Sequence, residues 1–373
     1  MHILGIETSC DDTAAAVVQD GSRVLSSVVQ NQDDLHSPFG GIVPEMASRR
    51  HLEVIDSVVR RAIESSRIPL EDMDLISVTA GPGLVGSLLV GLSYAKGLSY
   101  ATGLPLVPVD HIQGHLMTLD LAGGTPLPSV ILVSSGGHTT LYHLNCGDPP
   151  RVLGTTLDDA AGEALDKAAK MLGLGYPGGP AIEKAAQGGN VSALKLPRPL
   201  SGKNTLDFSF SGLKTSLFTW LRREGYFDST TEGRRLPLSI ADLAASYQQA
   251  VVDTLIERCV MALKLTGAPN LVIVGGVARN ALLRERTAAT AAKERFQVHF
   301  PPPELCTDNA AMIAALGYRE RDRAQVDPLD INAYSTKALR SGSTAFAKKG
   351  AARSTGNSAK RSAKHSAKHF GGT

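Results

Sequence analysis

Two histidines four residues apart, His111 and His115, follow directly on a short apolar run that ends at Asp110. If the residues after Asp110 open a helix, this spacing puts both imidazoles on one face, about 5 to 6 Å apart at Cβ. That is a spacing at which a metal ion can be shared, and a helix-end pair with no metal is the alternative. A zinc-protease motif would carry a glutamate directly after the first histidine as general base, and that position is Ile112. Two neutral imidazoles need at least one further ligand, for which a carboxylate is the natural donor. Asp308, in the stretch Pro303-Glu-Leu-Cys-Thr-Asp-Asn-Ala-Ala-Met312, is the best candidate. Its place before an alanine-rich helix also suits a plain N-cap.

Other polar turns sit where chemistry could use them. Glu7-Thr-Ser-Cys-Asp-Asp-Thr13 crowds hydroxyls and carboxylates between two apolar segments. Such a turn can cradle a phosphate, with Asp11 as a base or metal contact, or it can be an ordinary polar hairpin. Gly81-Pro-Gly-Leu-Val-Gly86 turns from a strand into a helix, a place for an anion or simply a tight connection. Ser134-Ser-Gly-Gly-His-Thr139 is a second glycine turn. Glu163 and Asp166, three apart in the first turns of a helix, can point together toward a cleft. The stretch Leu174-Gly-Tyr-Pro-Gly-Gly-Pro180 reads as backbone that lets a flat or sugar-like ligand come close. Phe208 and Phe210, beside Lys and Arg, are read as a core pair with a basic rim or as an RNA-stacking clamp.

The elements that must hold these turns repeat. Strands at Ile3–Glu7, Ala14–Gln19 and Val24–Val29 form a meander, followed by helices, a strand over Asp74–Thr79 and another over Leu106–Val109. After the Gly-Pro linker at Gly123–Pro128, strand, polar turn and strand recur over Ser129–Val133, Thr140–Asn145 and Arg151–Thr155. Two units of one architecture, with their turns facing across a nucleotide cleft, are the expected arrangement.

At 373 residues, 43% hydrophobic and 20% charged, the chain has room for two cores. It has no long apolar run and opens directly on strand-like Ile3-Leu-Gly-Ile6, so neither a membrane span nor a signal peptide is expected, and it is read as cytoplasmic. Four scattered cysteines, Cys10, Cys146, Cys259 and Cys306, are read as reduced thiols. The net charge of +2 hides an asymmetry: residues 341–373 hold seven Lys or Arg and no acid, leaving 31 bases against 36 acids before them. Binding of a polyanion must then come from a local patch, the basic tail or a partner, not from overall charge. The tail cannot form a core and is read as disordered.

Taken together, Gly5-Ile-Glu-Thr-Ser-Cys-Asp11, His111-x-x-x-His115, Val133-Ser-Ser-Gly-Gly-His-Thr139, Asp158-Asp-Ala-Ala-Gly-Glu163, Tyr176-Pro-Gly-Gly-Pro180, Gly275-Gly-Val-Ala-Arg-Asn280 and Thr307-Asp-Asn-Ala-Ala-Met312 resemble the universal tRNA threonylcarbamoyltransferase family, TsaD in bacteria. The resemblance implies an α/β actin/hexokinase-like (ASKHA) fold of two RNase H-like domains. The first would cover 1–125, completed by a C-terminal helix at about 308–335, and the second 126–307, with 341–373 a disordered basic tail. It implies His111, His115 and Asp308 as ligands of one divalent metal per subunit, Fe(II) first and Zn(II) as the alternative. Val133, Ser134, Ser135, Gly136, Gly137, Asp166, Gly179 and Asn280 would bind threonylcarbamoyl-AMP, with Asp11 as the candidate base. The partners implied are tRNA, a TsaB-type paralogue and a TsaE-type small ATPase. One departure is that Ser134-Ser-Gly-Gly stands where a hydrophobic residue before a single serine is expected, a change that backbone N–H contacts survive. Two rival readings are a metalloprotease, which Ile112 argues against, and an ATP-binding regulatory protein of the same fold, which needs no histidine pair.

Overall fold

A computed structural model describes residues 1–227, 237–326 and 330–335. The basic tail lies outside the described residues. In chain order the elements are β1 (His2–Glu7), β2 (Thr13–Gln19), β3 (Arg23–Gln30), α1 (Asp33–His36), α2 (Pro44–Ser66), β4 (Leu75–Gly81), α3 (Val85–Thr102), β5 (Leu106–Asp110) and α4 (His111–Leu116). The second half holds β6 (Ser129–Ser134), β7 (Thr139–Leu144), β8 (Arg151–Thr155), α5 (Ala161–Met171), α6 (Gly178–Ala185), α7 (Ser211–Arg223), α8 (Ile240–Thr266), β9 (Asn270–Val274), α9 (Ala281–Glu294), β10 (Gln297–His299), α10 (Pro303–Cys306) and α11 (Ala310–Arg319).

The repeat seen in the sequence is a repeat of topology. One sheet runs β3-β2-β1-β4-β5 and the other β8-β7-β6-β9-β10, each a meander extended by two parallel strands. In each, the first strand of the unit is central and buried on both faces, so it reads as a continuous apolar run. The pleat divides those faces. Leu4 and Ile6 pack against α2 and α3, while Ile3 joins the cluster around α11. Ile131 and Val133 of β6 and Val272 and Val274 of β9 join that same cluster, so one apolar cluster, carrying α11 and α4, links the two sheets.

Gly5 sits on the α11 face, where the strand and helix backbones nearly touch. A Cβ there would stand 2.2 Å from the Ala310 carbonyl oxygen. Gly5→Val is therefore expected to cost about 1–3 kcal/mol or more of overpacking strain. A lowered thermal midpoint would show it, and an unchanged midpoint would mean that α11 is free to shift.

The second half decides one open reading and corrects another. Phe208 and Phe210 are fully buried, stacked with centroids 6.2 Å apart, and belong to the core, so they are not an RNA clamp. Residues 195–215, whose composition predicts a loop and short strand, turn to helix at Ser211. Asp158 fixes that helix start, accepting from the Phe210 and Ser211 N–H groups and both neighbouring serine hydroxyls.

Candidate metal centre and active-site cleft

The histidine pair is built by the end of β5. Asp110 caps α4, its Oδ1 accepting from the Gln113 N–H at 2.9 Å, so the helix begins at His111 as the spacing predicts. The two rings lie on one face, centroids 4.9 Å apart and nearly perpendicular. Asp308 approaches from the other end of the chain, with Oδ1 3.2 Å from His115 Nε2 and 3.6 Å from His111 Nε2. The alternative reading of Asp308 as a helix cap fails: Asn309 is the N-cap of α11, accepting from the Met312 N–H, and this leaves Asp308 turned to the histidines.

These three offer ligand atoms within 4.8 Å of one another. His115 is fully buried, yet neither of its ring nitrogens makes a hydrogen bond of adequate geometry. An orphaned buried imidazole beside a carboxylate is costly, and a metal ion resolves it. The charges agree. Although burial opposes it, the Glu7 and Asp308 carboxylates push His111 up to about 9, and although burial raises it, His111 and His115 hold Asp308 far below the usual carboxylate range. The site demands a positive charge, and a second imidazole proton or a divalent cation can answer. The residues present therefore fit a metal of the kind that two histidines and one carboxylate take, Fe(II) or Zn(II).

The triad opens on a cleft of about 600 Å³ walled by the Ser9–Asp12 turn of the first half and by Ser135, Gly136, Gly137 and His138 of the second. A contiguous cavity of about 480 Å³ is lined by Asp166, Gly179, Glu183 and Asn280, with Asp11 and Tyr176 shared between the two. Ser135 follows the end of the strand, its N–H donating to the His138 carbonyl at 2.8 Å, so the glycines between them project as a tip. A Cβ at Gly136, Gly137 or Gly179 would meet no protein atom within 4 Å. Neither packing nor a left-handed backbone requires glycine there, which leaves close approach of a ligand as its use. Val133 and Ser134 lie fully buried under the tip, their side chains withdrawn from the cleft.

Asp166 accepts from the Gly178 N–H at 2.7 Å and so anchors the Tyr176–Pro180 turn, and a Cβ on Gly178 would stand 2.3 Å from Asp166 Cα. The close backbone approach read from this glycine run is thus made by Gly178 to α5, with Gly179 left open. Asn280 caps α9 through Oδ1, and its Nδ2 donates to Glu183 at 3.4 Å. Asp11 faces Tyr176, whose hydroxyl donates to Oδ2 at 3.4 Å across the cleft. Burial first, then the Asp308 charge, raises the Asp11 carboxyl.

Asp12 beside it is pushed up to about 8 by burial, then by Asp11 and Asp308. An aspartate in the unfolded chain titrates near about 4. Between those values the unfolded chain releases a proton that the folded chain keeps, so Asp12 costs stability as pH rises from about 4 to about 8. The neutral Asp12→Asn is expected to gain in thermal midpoint over the parent progressively across that window and by a constant amount above it. A difference that does not change with pH would contradict this account.

Sequence reasoning missed four groups here. His138 follows the glycine tip with its ring centroid 6.4 Å from that of His111, and burial, then His111 and His115, lower it to about 4, leaving a neutral imidazole in the cleft. Lys167 lines the cleft, paired with Asp159 and Glu163 at 2.8 Å each. Glu183 ties Asn280 and the Ala281 N–H together. Glu7, read only as part of a polar turn, is wholly buried against His111, 2.9 Å from its Nδ1. An acid ending an apolar strand was the available signal for Glu7.

Comparison with known proteins gives the family and the fold. The TsaD family profile, described as tRNA N6-adenosine threonylcarbamoyltransferase, matches residues 23–315. Among curated relatives carrying that name, one from Syntrophobacter fumaroxidans is 49% identical over 339 residues, covering 90% of this chain and 99% of the relative. Another, from Symbiobacterium thermophilum, is 49% identical over 332 residues, covering 89% and 95%. Solved structures share the fold at low identity. Component A of the (R)-2-hydroxyglutaryl-CoA dehydratase of Acidaminococcus fermentans superposes with a TM-score of 0.51 at 14% identity, covering 86% of this chain and 99% of its own. HypF of T. kodakarensis gives 0.54 at 16%, covering 86% of this chain and 48% of its own. The fold is the actin/hexokinase-like ASKHA fold. Among the described residues no helix is long and apolar enough to cross a membrane.

Proposed function

This chain belongs to the TsaD family of tRNA N6-adenosine threonylcarbamoyltransferases, and from that premise we propose that its cleft transfers the threonylcarbamoyl group from threonylcarbamoyl-AMP to N6 of the adenosine 3′ of the anticodon, in tRNAs that read codons beginning with A. The observation that carries the proposal is the orphaned His115 beside Asp308, opening on the glycine tip. The N6–C bond forms as the amine attacks the carbamoyl carbonyl, the bond from that carbon to the phosphate oxygen breaks, and AMP leaves with the electron pair.

The residues divide the work. His111, His115 and Asp308 would hold the metal, which supplies Lewis-acid polarisation to a reaction whose nucleophile is a weakly basic aromatic amine. The N–H groups of Gly136 and Gly137 would receive the phosphate, where fixed donors stabilise charge as the leaving group departs. Asp166, through Gly178, would set the turn that presents Gly179, and Asn280 with Glu183 would close the nucleoside end. Asp11 would take the proton that N6 releases, a task suited by its raised carboxyl. The alternative acceptor is the departing phosphate.

The chain ahead of the basic tail carries 31 bases against 36 acids, so tRNA binding would be shared with partners, a TsaB-type paralogue and a TsaE-type ATPase. The test is nucleoside mass analysis of unmodified tRNA incubated with the chain, its paralogue and threonylcarbamoyl-AMP. The reading requires a threonylcarbamoyl mass gain on one adenosine. Consumption of the adenylate with unmodified tRNA would count against it.

A further inference from the structure

Resting on the metal reading above, we infer that Glu7 is a positioning residue of the metal centre: it fixes the His111 imidazole with its proton on Nδ1, so that Nε2 is the atom presented to the metal. The pleat of β1 sends Glu7 to the same face as Ile3 and Gly5, toward α11 and α4. There it is fully buried. Oε2 accepts from the Thr79 hydroxyl at 2.6 Å and lies 2.9 Å from His111 Nδ1, and Oε1 accepts from the Ser9 N–H. Among the described residues no lysine or arginine pairs with it, so this buried carboxylate answers only to His111 and to what His111 carries.

Two groups face His111 Nδ1: the Glu7 carboxylate and, at 3.1 Å, the Ser9 hydroxyl, which can donate or accept. An ionised carboxylate only accepts, and both its oxygens already receive protons from Ser9 and Thr79. His111 Nδ1, facing that carboxylate, must therefore donate, which leaves Nε2, the nitrogen 3.6 Å from Asp308, as the one to exchange its proton for a metal. Ligating histidines are commonly oriented by such a partner on the other ring nitrogen. His115 has none on Nδ1.

Glu7→Gln tests this with almost no change of shape. The Ser9 N–H is a fixed donor, so the amide oxygen must occupy the Oε1 place and the NH₂ the Oε2 place. The Thr79 hydroxyl can rotate to accept. A proton kept on Nδ1 would point at the amide N–H, with Ser9 Oγ at 3.1 Å as its remaining acceptor among the described residues, so Nδ1 is expected to accept and the proton to move to Nε2, where the metal should bind. We would measure Zn²⁺ binding to the full chain, stripped of metal, by competition with a chromophoric chelator, alongside the melting of the metal-free chain. The expected result is Zn²⁺ affinity about 10–100-fold weaker in Glu7→Gln in a metal-free chain that still melts cooperatively. Parental affinity in a folded Glu7→Gln would overturn the inference. If that variant does not fold, histidine-¹⁵N spectra of the Zn²⁺-loaded parent decide: His111 protonated at Nδ1 and metal-bound at Nε2 supports it, and the opposite assignment overturns it. Neither measurement uses tRNA or the adenylate, so a failure of the transfer reading would show separately.

Discussion

Asp308→Ala is expected to abolish stoichiometric metal binding and to slow transfer by about 100-fold or more, while the chain stays folded. Lewis-acid polarisation is worth several kcal/mol, and each ~1.4 kcal/mol is a factor of ten. The fold should survive because Asn309, not Asp308, caps α11. Removing the carboxylate leaves His111 and His115 facing each other without their shared anion, so the metal-free variant should lose part of the charge coupling, second to that of Glu7, that holds His111 up at about 9. Metal content by elemental analysis, read beside the transfer rate, checks both parts. Full activity with no bound metal would remove the triad from the mechanism.

Asp166→Ala should act on binding more than on turnover. Its carboxylate is the anchor of the Gly178 N–H, and a hydrogen bond to a charged group is worth about 1.5–3 kcal/mol. Release of the Tyr176–Pro180 turn is expected to raise the adenylate concentration for half-maximal transfer by about 10-fold or more, with the saturated rate much less affected. Burial, against the Gly178 bond, pushes this carboxyl up to about 6. The charged acceptor is present above that value and lost as pH falls through it, so adenylate binding by the parent should weaken below about 6 and that by Asp166→Ala should not. An equal fall of both kinetic constants in Asp166→Ala would place the residue at the reacting atoms instead.

The parts of this site that were legible in the sequence are those with local spacing. His111 and His115 needed only a helix started by Asp110, and the duplicated sheets needed only the recurrence of strand, polar turn and strand. Asp308 was less secure, because Asp308 and Asn309 are both good caps and only the fold shows which one accepts from Met312. Glu7 was out of reach in that role: its partner is 104 residues away, and a buried acid is indistinguishable in sequence from a turn residue at a strand end. The aromatic pair left two readings open, core or RNA clamp, since Phe208 and Phe210 beside basic residues read alike in either place, and burial decides for the core. Ser211 as a helix start was hidden because its capping acid, Asp158, lies 53 residues earlier.

One measurement bears most directly on the central claim that this cleft couples acyl transfer to release of AMP. Threonylcarbamoyl-AMP, labelled differently in its acyl and nucleotide parts, would be mixed in a single turnover with metal-loaded chain, paralogue and unmodified tRNA. Acyl label should reach tRNA one for one with free AMP, and neither should form at that rate with Asp308→Ala. Release of AMP while the acyl label goes to water, with none on tRNA, would contradict the account and make the cleft a hydrolase.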